Sequence, residues 1–194
     1  MNKPPLQIAY ITGRSFPGRA DLSPVQTAFI NRLAKPGRTL AQLNFPYVTG
    51  ASDSTTFEAV GLFTASLNNS RDYLASRRPV FEKNYQMPVA GLLARAQHTV
   101  FLAGSCGLEL FNNLNLPATL LKTTSVFAYG PVARKRPVCH HFLVQGDNDR
   151  ISQIWFRNVD SKVRSGHMNY LVNPELLTLC EHFISSIESN QAMP

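Results

Sequence analysis

Thr99-Val100-Phe101-Leu102-Ala103-Gly104-Ser105-Cys106-Gly107-Leu108-Glu109-Leu110-Phe111 is the stretch on which the reading of the fold turns. Thr99 to Ala103 runs without polar alternation, the pattern of a strand buried on both faces of a parallel sheet. From Leu108 to Leu114 the apolar residues return at helical spacing. Between them, Ala103-Gly104-Ser105-Cys106-Gly107 fits small-x-Ser-x-small. A serine on a sharp strand-to-helix turn tolerates only small residues two positions to either side, and such a turn lifts the hydroxyl above the sheet. The helix starting there aims its first amides at any oxyanion formed beside it, and the Cys106 N–H follows the serine directly. The same residues also suit a plain tight turn or a phosphate-binding loop, although the Lys-Ser/Thr pair and the Gly-x-Gly-x-x-Gly pattern are missing. Taking Cys106 as the nucleophile would put Leu108 at a position that needs a small residue, so its thiol reads as a small buried side chain.

Working outward, short apolar runs alternate with helical patterns. Ile8-Ala9-Tyr10-Ile11 reads as a strand ending at Thr12-Gly13, followed by the loop Arg14-Ser15-Phe16-Pro17-Gly18. Ser23 reads as an N-cap, with Pro24 at the first helical position and Gln26 completing a capping box. Val25, Phe29, Ile30 and Leu33 form the helix's apolar face, and Pro36-Gly37 stops it. Leu40 to Pro46 is the next strand, and 49–56 a polar loop. Residues 57–97 read as mostly helical, with a break at Arg78-Pro79 and a kink at Pro88, either two packed helices or a partial cap over a site. Ser125 to Tyr129, closed by Gly130-Pro131, and His141 to Val144, closed by Gly146, are further strands. Asn173-Pro174 opens a last helix with Leu176, Leu177, Cys180, Phe183, Ile184 and Ile187 on its apolar face. This alternation predicts an α/β protein, a three-layer α/β/α sandwich with a mostly parallel sheet, in a single domain over 1–194.

Composition narrows the function classes. With 44% hydrophobic and 16% charged residues in 194, a folded globule is expected. No run approaches the ~20 apolar residues of a membrane helix, and the N-terminus lacks a secretory pattern, so no membrane span and a cytoplasmic location are expected. Cys106, Cys139 and Cys180 are too few and too scattered for a disulfide framework. The net charge of +7 favours an anionic partner, but nucleic-acid signatures are missing and nucleic-acid binding is not expected. The densest basic cluster, Arg134, Lys135 and Arg136, follows the strand ending at Tyr129. It reads either as a solvated loop or as a contact for an acidic carrier protein.

A serine nucleophile needs a base, and the base an orienting acid. His98 precedes the Ser105 strand, and His140 and His141 open theirs, so all three belong at the far end of the sheet. His182 lies inside the last helix. His167 alone stands in a loop, after Gly166. Gly146-Asp147-Asn148-Asp149-Arg150 follows a strand, where functional groups of open parallel sheets gather; Asp147 and Asp149 are both candidates, and Asp160 a weaker one. The chain order is Ser, Asp, His.

On these residues the sequence resembles the α/β-hydrolase superfamily over nearly its whole length. Gly146-Asp147-Asn148-Asp149-Arg150-Ile151 looks like the family's acid loop and implies Asp149 as the acid; Gly166-His167 before a final helix looks like its histidine turn. Ile11-Thr12-Gly13-Arg14 is similar to its oxyanion loop and implies the Arg14 N–H as second donor beside that of Cys106. Thr12 and Ala103 replace the family's usual histidine and first elbow glycine, and the short chain implies that the opening strands of the sheet are missing. The resemblance implies a serine hydrolase acting on a carboxylic ester or acyl thioester, carried by an acyl carrier or coenzyme A in the sharper version, through Ser105, Asp149 and His167, with no cofactor or metal. The alternative is a catalytically silent binding or scaffold protein on the same fold.

Overall fold

The first strand, β1 (Leu6–Thr12), is buried along its whole length, and its alternate side chains feed two separate cores. In this computed structural model, which describes residues 3–14, 20–47 and 70–192, Leu6, Ile8 and Tyr10 face one way and Ala9 and Ile11 the other. A two-residue period along a strand forces that division. The remaining elements are α1 (Pro24–Arg32), β2 (Arg38–Phe45), helical residues 70–76 (α2), α3 (Pro79–Leu93), β3 (His98–Gly104), α4 (Gly107–Asn113), α5 (Ala118–Leu121), β4 (Thr124–Tyr129), β5 (His140–Gly146), α6 (Arg150–Trp155), β6 (Ser161–Val163) and α7 (Pro174–Ala192). A 3₁₀ turn, Tyr170–Val172, precedes α7.

The six strands form one sheet in the order β2-β1-β3-β4-β5-β6, every pairing parallel. On one face Ile8, Val100, Leu102 and Phe127 meet Phe29 and Ile30 of α1 and Leu176, Cys180 and Ile184 of α7. On the other, Ile11, Phe101, Val126 and Leu143 meet Tyr73, Phe81, Leu92 and Phe111 from α2, α3 and α4. Helices on both faces of a parallel sheet make the α/β, three-layer arrangement read from the sequence, each fully buried Leu, Ile or Phe contributing about 1.5–3 kcal/mol.

Local signals explain several boundaries. Ser23 Oγ accepts from the Gln26 N–H (3.3 Å), Gln26 Oε1 accepts from the Ser23 N–H (2.8 Å), and Pro24 opens α1, completing the expected box. Val25 departs from expectation: it is 45% exposed, so the buried stripe of α1 begins at Phe29. β2 starts two residues before the predicted strand and is held to α7 by the buried Arg38 guanidinium, which donates to Glu188 (2.6 Å) and Glu181 (2.7 Å). The break at Arg78-Pro79 separates α2 from α3, and Pro88 lies inside α3. The predicted polar loop 49–56, the first part (57–69) of the helical stretch and positions 15–19 lie outside the described residues.

β1 and β3 are the neighbours from which the chain leaves in opposite directions, toward β2 on one side and β4 on the other. Ligand sites of open α/β sheets form beyond the carboxyl ends of strands at such a switch point. The register puts Thr12, Gly104 and Tyr129 side by side there.

Candidate functional site

Ser105 follows the last residue of β3 and adopts φ +51°. A non-glycine residue in the left-handed region costs about 1–3 kcal/mol and persists only where its surroundings over-determine it. Here the Ser105 N–H donates to Tyr129 O (3.1 Å) and the Ser105 carbonyl accepts from the Val132 N–H (3.0 Å). Gly107 lets α4 begin directly against β1: a Cβ there would lie 1.9 Å from the Ile11 carbonyl oxygen. A Cβ on Gly104 would meet the Tyr129 hydroxyl at 2.5 Å. The small residues around the serine thus answer to identifiable neighbours.

Ser105 Oγ lies 3.0 Å from His167 Nε2. On the other side of the ring, His167 Nδ1 lies 3.0 Å and 2.9 Å from the two carboxylate oxygens of Asp149. A carboxylate only accepts, so Nδ1 carries the proton and the neutral ring leaves Nε2 free to accept from Ser105. The Asp149 side chain is fully buried and that of His167 17% exposed. Burial pushes the Asp149 carboxyl up; hydrogen bonds from His167, the Ser152 amide and Tyr170 outweigh it and hold the group below its ordinary range. Asp149 also caps α6, accepting from the Ser152 N–H at 3.0 Å.

Of the two acids the sequence leaves open, Asp147 shapes the loop instead: its Oδ1 accepts from the Ser165 N–H at 3.2 Å. Asp160 precedes β6 and pairs with Arg136 at 3.0 Å. His98 and His140 flank Ser125 (2.9 and 3.3 Å) at the opposite, amino edge of the sheet. Burial, with His140 nearby, lowers His98 to about 4. His141 bonds the Cys139 carbonyl, and His182 lies on α7. The Cys106 thiol is buried, which, with Asp72 nearby, pushes it up to about 12; the Gly13 and Cys106 amides offset this in part. It is unsuited to attack.

Two expectations change. The Arg14 N–H donates to Asp72 Oδ2 at 2.7 Å and so cannot serve as drawn as the second oxyanion donor. The Arg14 guanidinium grips the same carboxylate at 2.9 Å and lies 3.8 Å over the Tyr47 ring, pinning the loop after β1 to α2. The Thr12 N–H is likewise engaged, by Asn44 Oδ1 (2.8 Å). Among the described residues no backbone carbonyl accepts from the Cys106 N–H. The second change concerns Arg134, Lys135 and Arg136. Arg134 is paired with the buried Glu109 at 2.6 Å, and Arg136 with Asp160. Two of the three charges are locally neutralised, which weakens the case for a docking patch.

Asp72, Ser152 and Tyr170 were not singled out from the sequence. Asp72 and Tyr170 act across tertiary contacts, 58 positions from Arg14 and 21 from Asp149, whereas Ser152 meets Asp149 locally, three positions along, as the cap of α6. Among the described residues no group of three or more His, Cys, Asp or Glu is arranged to hold a metal ion, and no helix is long and apolar enough to cross a membrane. No model of a known family matches the chain, and no curated protein matches it either.

Proposed function

We propose that this chain is a serine hydrolase of the α/β-hydrolase type, which cleaves a carboxylic ester or acyl thioester through an acyl-enzyme. One observation carries the reading: the unbroken line Ser105 Oγ, His167 Nε2, His167 Nδ1, Asp149, with separations of 3.0 and 2.9 Å, standing at the carboxyl edge of a parallel sheet. The all-parallel sheet and the left-handed Ser105 on a strand-to-helix turn support it, since that strained turn is what exposes a nucleophile.

In this reading His167 Nε2 takes the Ser105 proton as Oγ bonds to the acyl carbon. The carbonyl π pair moves onto oxygen, and the Cys106 N–H donates to that oxyanion. Asp149 stabilises the imidazolium without taking its proton. Collapse breaks the bond to the alcohol or thiol, which leaves with the proton from Nε2. Water then attacks the acyl-serine, giving its proton to Nε2, and the carboxylic acid departs as Ser105 recovers its hydrogen. With Arg134 and Arg136 already paired, an acidic carrier is not needed to explain the surface. A small ester or thioester is the simpler substrate class.

Hydrolysis of short p-nitrophenyl esters and acyl-coenzyme A thioesters by the native protein, Ser105→Ala and His167→Ala tests the proposal. Turnover by the native protein that falls to background in both variants is expected. Equal rates in all three would assign the turnover to a contaminant or another site.

A further inference from the structure

The acid of this line has a second side-chain partner. Tyr170 is 2% exposed, and its hydroxyl touches both the Gly146 amide (2.5 Å) and Asp149 Oδ2 (2.7 Å). A backbone N–H can only donate, so the phenol oxygen accepts from Gly146 and its one proton must point at Asp149. The direction of this bond is therefore fixed by chemistry.

The space for it is built in. Gly130 follows β4 with φ +53°; a Cβ there would lie 2.6 Å from the Tyr170 ring and 3.0 Å from Asp149 Oδ2. A Cβ on Gly146 would lie 3.1 Å from the Tyr170 hydroxyl and 2.1 Å from the Ser165 carbonyl. Two glycines at the ends of adjacent strands thus admit one tyrosine to the far side of the acid. A simple packing role would need no hydroxyl, and the hydroxyl is the atom these contacts organise.

We infer that Tyr170 is a positioning residue, the fourth member of the line from Ser105, which holds Asp149 in the orientation that pairs with His167 and shares its negative charge. The inference rests on the hydrolase reading above. Oδ1 is held by the Ser152 N–H and Oδ2 by Tyr170, so the carboxylate cannot rotate away from Nδ1. Among the described residues, Asp149 pairs with the His167 ring, Tyr170 stands behind that carboxylate, and Asp147 lies in the adjoining loop. Tyr170 donates a hydrogen bond to Asp149, and removing that bond leaves more negative charge to stabilise the imidazolium.

The test is the pH dependence of kcat/KM together with an NMR titration of the His167 ring, in the native protein and Tyr170→Phe. In Tyr170→Phe, kcat is expected to fall about tenfold, the scale of one hydrogen bond to a charged group. The acidic limb and the ring titration should both move up by roughly half to one pH unit. Placing 3-fluorotyrosine at position 170 keeps the shape and strengthens the donor, so both should move down; this arm stands even if Tyr170→Phe does not fold. A native enzyme that hydrolyses esters, with limb and ring titration unmoved in either variant, overturns the role of Tyr170 and leaves the hydrolase reading intact. A native protein that neither hydrolyses esters nor labels at Ser105 overturns both.

Discussion

Gly107→Ala is the most exacting single perturbation of the turn that carries Ser105. The added Cβ would lie 1.9 Å from the Ile11 carbonyl oxygen and 2.8 Å from the Ile11 carbonyl carbon, against an ordinary contact of about 3.5 Å. Both obstacles are backbone, so no rotamer change relieves them, and α4 must shift away from β1 by about 1 Å or more. Overpacking in a well-packed interior costs about 1–3 kcal/mol, and a backbone-to-backbone clash belongs at the upper end. For a chain of this size that is a fall in Tm of roughly 6–12 °C. Displacing Ser105 by ~1 Å should also slow acylation about a hundredfold. Gly91→Ala is the control: within α3, nothing lies within 4 Å of its added Cβ, so alanine should stabilise by about 0.5–1 kcal/mol. Calorimetry on both variants, with labelling rates by a fluorophosphonate probe, reads both effects. Native-like melting and labelling in Gly107→Ala, or a drop in Tm for Gly91→Ala, would refute the steric argument.

Three further outcomes are expected. The Arg38 hydrogen bonds hold Glu181 at about 2, against an ordinary 4.5; a depressed carboxyl stabilises the fold above 4.5 and loses that contribution as pH falls toward 2. Urea unfolding at pH 3, 5 and 7 should show a loss of roughly 1–2 kcal/mol by pH 3, solvent screening at this partly exposed group included, much reduced in Arg38→Met. Asp149→Asn turns an acceptor into a donor facing Nδ1 or Tyr170 and favours the wrong ring tautomer; probe labelling should slow by about 10³–10⁴, and a loss under tenfold would argue that Asp149 does not orient His167. Cys106→Ala keeps the backbone N–H and should retain Ser105 labelling within a few-fold, as measured by intact mass; loss of the adduct would make the thiol the nucleophile.

The sheet's central strands were legible because strands buried on both faces are mostly apolar. β1, β3 and β4 stand where the apolar runs lie, extended by one to three residues. α1 was legible from Ser23, Pro24 and Gln26, since capping is a local interaction. α6, six residues long, and β6, three, are too short for a period to register, and both fit into the 18-residue step between Asp149 and His167. At the site, Ser105 and His167 were read from motif and placement, with Asp147 and Asp149 both open as the acid until the resemblance implied Asp149; the structure places Ser105, His167 and Asp149 together. What sequence could not show is where a backbone amide goes. The Arg14 N–H turns to Asp72, 58 positions along the chain, and no local pattern records that contact. Tyr170 was hidden for a related reason: its role depends on the absence of side chains at Gly130 and Gly146.

The most direct test of the central claim is to treat the folded native protein with a fluorophosphonate probe and map the adduct by peptide mass. A single adduct on Ser105, lost in Ser105→Ala and in His167→Ala, is the predicted result, because only a serine activated through His167 reacts at neutral pH. A folded native protein that takes up no probe, or Ser105→Ala labelling as fast as native, would contradict it and leave the line from Ser105 to Asp149 without a catalytic role.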